Sequence, residues 1–151
     1  DHLFNIGNKY NLKPGAPNHA ERIEGGLLSY GNDMLITDNP YECGFEKSVN
    51  LDTNINFLGK ESLKKIKDKG ITRKLVGVKI DTKELSLSDT ELLDINSQII
   101  GELRSAAFSP KFNKIVGISM IKNEFSQITT KFQIKVDKKY VSGEVTNLPI
   151  T

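Results

Sequence analysis

A change of period at Gly70 constrains this chain more than any other feature. Beyond it, residues 73–80 (RKLVGVKI) alternate with period two, which sends Leu75 or Val76 and its alternates to one face of a strand. Further strands are expected over 91–95, 98–103, 106–108, 115–121, 131–136 and 140–145. Asn96-Ser97, Ser109-Pro110 and Asp137-Lys138-Lys139 supply the turns between them. Many short strands joined by turns predict a small antiparallel barrel or sandwich. The expected fold class is therefore α+β, with a mixed helix and loop segment over 1–70 and a small antiparallel β-barrel over 71–151.

The first segment carries helical patterns broken by punctuation. A short helix is expected over 2–12, with Leu3, Phe4, Ile6, Tyr10 and Leu12 as its apolar face and Gly7 weakening it. The stretch 13–17, with two prolines and a glycine, reads as a loop. Asn18 is a fair N-cap for a second helix over 19–24, which Gly25-Gly26 ends. Leu27, Leu28 and Tyr30 then read as a buried extended segment, and Gly31-Asn32-Asp33 as a turn. Spacing alone pairs Arg22 with Glu21 or Glu24 in an exposed ion pair. Phe45, Val49 and Leu51 are expected to point inward. Glu42 and Glu46 have helical spacing, but no histidine or metal partner lies near them, so surface charge is the expected role. A third helix should end before Gly70, with Leu63 and Ile66 on one face and Lys60, Lys64, Lys65, Lys67 and Lys69 on a solvated one.

Composition excludes several functions. The 151 residues carry a net charge of only +2, and among 21 basic residues only Arg22, Arg73 and Arg104 are arginines. An arginine-rich face for nucleic acid is not expected. No apolar run is long enough to span a membrane. Cys43 is the lone cysteine and His2 and His19 the two histidines, too little for a disulfide, a metal site or a Cys-His nucleophile. Cys43 is expected to act as a small hydrophobe, and the setting to be reducing and cytoplasmic. The chain opens at Asp1 without an initiator methionine or a visible secretory signal, as a fragment of a longer protein would.

Six short motifs in a fixed order carry a resemblance. They are Arg22-Ile23-Glu24-Gly25-Gly26 with the turn Gly31-Asn32-Asp33, then Asn39-Pro40-Tyr41-Glu42-Cys43-Gly44, then Phe57-Leu58-Gly59-Lys60-Glu61-Ser62-Leu63. Arg73-Lys74-Leu75-Val76-Gly77, the run from Ile100-Gly101 to Ser105 and Ser109-Pro110, and the terminal Leu148-Pro149-Ile150 complete them. In this order they resemble the C-terminal part of the glycine-cleavage T-protein (aminomethyltransferase) family over essentially the whole chain.

The resemblance implies a tetrahydrofolate-dependent one-carbon transferase. Residues 1–70 would be the end of its folate-binding core and 71–151 its C-terminal barrel. No catalytic residue is expected in this chain, because the family keeps that aspartate in the N-terminal half. Arg22 matches the family's arginine at the folate site, with Glu24, Tyr30 and Arg104 as further candidates. A planar, permanently charged guanidinium suits an anionic, ring-bearing cofactor. The double glycine and the Asn39–Gly44 stretch are more similar to dimethylsulfoniopropionate demethylases, which move a methyl group from a sulfonium to tetrahydrofolate. The aminomethyltransferase itself is the alternative, and a non-catalytic folate-binding module a third, disfavoured because no cysteine stands at 57–63. The implied partners are a small-molecule one-carbon donor and the N-terminal half of the same enzyme, with no nucleic acid, no membrane and no metal. The isolated chain is expected to be inactive.

Overall fold

The computed structural model describes residues 2–13, 15, 18–84, 90–137 and 139–151. Pro14, Ala16 and Pro17 of the expected loop, and Lys138 of the last expected turn, lie outside them. Three short helices, α1 (His2–Gly7), α2 (His19–Glu24) and α3 (Lys60–Lys69), precede six strands. These are β1 (Arg73–Ile80), β2 (Glu91–Leu93), β3 (Ile99–Ser109), β4 (Lys114–Lys122), β5 (Lys131–Val136) and β6 (Lys139–Thr146). They close into an antiparallel barrel in the order β1-β4-β3-β2-β5-β6, with β6 pairing back onto β1. Closure removes the unpaired edges that an open sheet of this size would expose.

The barrel has two cores, one on each side of its wall. Inside, Val76, Val78 and Ile80 of β1 meet Leu103, Ile121, Phe132, Ile134 and Val145 from the other strands. Outside, Leu75, Val116, Ile118 and Met120 pack against Ile23 of α2 and Ile150 of the C-terminal segment. β1 and β4 are thus covered on both faces, which is why 115–121 reads as a nearly continuous apolar run. The C-terminal segment can lie this close because of two glycines. A Cβ on Gly77 would stand 2.4 Å from the Asn147 carbonyl oxygen. Gly26 takes φ +65 directly under Leu148 and Pro149, a conformation other residues rarely adopt. The Ile150 amide donates to the Glu24 carbonyl at 2.8 Å and ties the segment to α2.

Several expectations change. The first helix is shorter than 2–12, because a 3-10 turn over Asn8–Tyr10 ends at Asn11 in the left-handed region. Its intended apolar face stays exposed, with Leu3 77% and Tyr10 74% accessible. The two strands expected over 98–103 and 106–108 are one strand, β3, with a bulge between Leu103 and Ser105. Lys60 is buried rather than solvated, since its ammonium donates to the Thr53 and Ile55 carbonyls and closes the loop before α3. Leu27 and Tyr30 are exposed, and only Leu28 of that segment packs on the outer core. Leu51 points inward as expected, while Phe45 is exposed and Val49 half-buried. The helix over 19–24 forms as expected: Asn18 Oδ1 accepts the Glu21 amide at 2.8 Å and the Glu21 carboxylate returns to the Asn18 amide.

Candidate functional site

All three arginines sit in ion pairs on the outer wall of the barrel. Arg22, in the last turn of α2, does not pair with Glu21 or Glu24. Its Nη1 donates to Asp33 Oδ2 at 2.6 Å and to the Leu27 carbonyl at 2.8 Å, and its Nη2 donates to Ser105 Oγ at 3.3 Å. Asp33 is fully buried, and the Arg22 side chain keeps 19% of its surface. The Asp33 carboxylate also accepts the Ser29 amide at 2.7 Å and the Ser105 hydroxyl at 2.5 Å. A buried carboxylate needs this many donors, since an uncompensated charge is costly away from water. The turn after α2 therefore folds around Asp33, and Asp33 is fastened to β3.

The second pairing corrects the expectation for Glu42. Glu42 is buried rather than a surface charge, and it receives Arg73 Nε at 3.0 Å on Oε1 and Arg73 Nη2 at 3.1 Å on Oε2. Arg73 Nη2 also reaches Asp38 Oδ1 at 3.0 Å. The Glu42 hydrogen bond is the largest cause that raises the Arg73 pKa further above its ordinary value, so this fork stays charged. Arg104 approaches Asp38 at 3.6 Å and Glu102 at 2.7 Å. Its Nε and Nη1 are buried without a hydrogen-bond partner among the described residues. The bulge in β3 turns Arg104 and Ser105, adjacent in sequence, toward Asp38 and Asp33 respectively. One kink in one strand thus grips the 29–42 loop at two points.

Of the residues expected at a cofactor site, Arg22 is held and oriented, while Glu24 is half-buried and contributes its carbonyl to the C-terminal segment. Tyr30 is 70% exposed at the turn. Among the described residues no hydrogen bond or ion pair joins these three side chains, and Arg104, the further candidate, pairs with Asp38 and Glu102. Asp33 and Ser105 were not legible as Arg22's partners, because 11 and 83 residues of separation leave no periodic signal. Arginine scarcity and the motif order pointed to Arg22, but not to its partners. Cys43 suits its expected structural role: burial pushes its thiol up, and Asp38 and Glu42 push it further, which keeps it from acting as a thiolate.

A groove of about 650 Å³ lies beside this cluster, walled by Gly26, Leu28, Cys43, Leu75, Asn147 and Leu148 among others, and none of Arg22, Glu24 or Tyr30 lines it. Among the described residues no group of His, Cys, Asp and Glu is placed to hold a metal, and no helix is long and apolar enough to cross a membrane.

Known proteins with the same features supply the comparison. The chain is 36% identical over 140 residues to an aminomethyltransferase of Clostridium botulinum (strain Okra / Type B1), covering 91% of this chain and 37% of that protein. It is 30% identical over 149 residues to an aminomethyltransferase of Flavobacterium psychrophilum, covering 97% of this chain and 41% of that protein. The chain thus spans about two fifths of the length of these relatives. The crystal structure of the glycine cleavage system aminomethyltransferase T from Bartonella henselae superposes with a TM-score of 0.78 at 24% identity, over 86% of this chain and 37% of that one, and so shares the fold. Residues 73–151 match the family model described as the glycine cleavage T-protein C-terminal barrel domain, and the chain belongs to that family.

Proposed function

We propose that this chain is the C-terminal part of an aminomethyltransferase that delivers a one-carbon unit to tetrahydrofolate. Residues 1–70 form the end of the folate-binding core and 71–151 the barrel domain, a division supported by the family match beginning at residue 73. Arg22 contacts the folate, Glu24 and Tyr30 lie beside it, and the remaining machinery, including the catalytic group, belongs to an N-terminal portion that completes the site.

The observation that carries this reading is the state of Arg22. Three of its five N–H groups are committed to Leu27, Asp33 and Ser105. The guanidinium is fixed in place yet partly open to solvent, as a residue that receives an anionic or ring-bearing ligand must be. Folate would gain ionic hydrogen bonds and a flat charged surface there. The protein's contribution is then to hold donor and acceptor in line.

The donor is the finer question. The similarity to dimethylsulfoniopropionate demethylases rests partly on Gly25-Gly26. Gly25 has φ −72, an ordinary helical value, and Gly26 has φ +65 beneath the C-terminal segment. Both serve the backbone and neither supplies donor chemistry. The relatives named aminomethyltransferases therefore weigh more, and the sulfonium donor is the second reading. The complete protein should be assayed for folate one-carbon products with aminomethylated lipoyl protein and, separately, with dimethylsulfoniopropionate. Turnover with the lipoyl protein alone supports the proposal. Turnover with the sulfonium alone replaces it with the demethylase reading, and turnover with neither leaves a folate-binding module.

A further inference from the structure

We infer that Ser105, on the barrel strand β3, is a positioning residue that decides which edge of Arg22 is presented to the ligand. The inference rests on the proposal that Arg22 is the folate contact. It extends that role across the chain to a side chain of the barrel domain.

A guanidinium carries two N–H groups on each Nη and one on Nε. Both protons of Arg22 Nη1 are used, on Asp33 Oδ2 and the Leu27 carbonyl. One proton of Nη2 goes to Ser105 Oγ. Ser105 donates its own proton to Asp33 Oδ1, so the serine and the aspartate together occupy the edge formed by Nη1 and Nη2. What is left is Nε–H and the second proton of Nη2. These two point the same way along the other long edge of the group, spaced for the two oxygens of a carboxylate. Among the described residues neither of these two N–H groups is hydrogen-bonded, and the side chain keeps 19% of its surface.

Ser105 is the element that keeps the edge in place. Without it, Asp33 and the Leu27 carbonyl hold the guanidinium through Nη1 only, and Nη2 is left unfixed. With the serine hydroxyl removed, Asp33 Oδ1 loses a donor and Nη2 loses its acceptor, two groups left to satisfy each other directly. The guanidinium then turns toward the carboxylate and carries its open edge away. Ser105 can act this way because the bulge between Leu103 and Ser105 aims it at α2, and because β4 pairs with β3 on both sides of that bulge.

The test is titration of the complete protein with tetrahydrofolate, comparing wild type with Arg22→Ala, Ser105→Ala and Ser105→Thr, alongside steady-state kinetics. Ser105→Ala should weaken binding about tenfold, the scale of one hydrogen bond to a charged group. It should raise KM for tetrahydrofolate and leave kcat at saturation within about twofold. Ser105→Thr keeps the hydroxyl and should restore affinity. Should Ser105→Ala not fold, Ser105→Cys, similar in size and a weak acceptor, takes its place with the same expected loss. Wild-type affinity in Ser105→Ala beside a large loss in Arg22→Ala overturns the inference and spares the functional reading. So does a Thr variant as weak as Ala, which marks a packing effect. An Arg22→Ala variant that binds like wild type removes the functional reading, and this inference with it.

Discussion

Arg22 on α2 and Ser105 on β3, 83 residues apart, bond to each other and to the same buried carboxylate, that of Asp33. This one contact joins the helical segment to the barrel through charge as well as through the apolar packing of Ile23 on Ile118 and Met120. Removing the charge on Asp33 should therefore be felt in stability. Asp33→Asn keeps the shape and leaves Arg22 without a counter-ion, at a cost of about 3 kcal/mol in urea unfolding. Glu21→Gln, next to Arg22 in sequence but exposed, should change stability by no more than about 0.5 kcal/mol.

The outer core depends on how closely the C-terminal segment approaches β1. Gly77→Ala places a methyl group 2.4 Å from the Asn147 carbonyl oxygen and 3.0 Å from Ile150 Cγ1. Backbone is in the way, so relief requires the segment to move. A loss of about 2–3 kcal/mol is expected. Faster amide exchange at Ile150, whose donor bond to Glu24 would be released, is the specific sign that the segment has lifted.

Ser119 Oγ is buried, has no hydrogen-bond partner among the described residues, and lies opposite Val76 and Leu103 in register, two members of the inner core. An unmade hydrogen bond of a buried hydroxyl costs roughly 1–3 kcal/mol. Ser119→Ala should accordingly raise stability by about 1 kcal/mol, read as a higher denaturant midpoint with an unchanged m-value.

Acid should act weakly at the β5–β6 surface. Hydrogen bonding to Lys131 is the largest cause that lowers the Glu144 pKa, and the pair is 2.6 Å apart. A folded pKa below the unfolded one stabilises the fold above the ordinary glutamate value. That contribution is lost as pH falls through the folded value. Lys131 is exposed and Glu144 partly so, which keeps the worth of the pair under about 1 kcal/mol. Lys131→Met should reduce the slope of stability against pH just below the usual glutamate range of about 4.3, and raised salt should do the same.

What was legible in the sequence follows from what is periodic. The strands 73–80 and 131–136 appear with the expected bounds, since alternation and turn residues act locally. The bulge at Arg104 was not legible, because a single extra residue leaves no mark in the pattern and splits one strand into two. The helix over 19–24 was fixed by its cap at Asn18. The apolar residues of α1 gave a face but not its partner, and they remain exposed. At the site, the motif order marked Arg22, whereas Asp33, Ser105 and the burial of Glu42 depend on tertiary contacts between segments 11 to 83 residues apart.

Asp33 and Ser105 hold Arg22 in the orientation proposed for folate contact. The tetrahydrofolate dissociation constant of the complete protein, measured with and without the guanidinium, reads that contact. Arg22→Ala should bind about thirtyfold more weakly, as loss of a charge-assisted contact worth about 2 kcal/mol requires. An Arg22→Ala protein that is folded and binds tetrahydrofolate as tightly as wild type would contradict it.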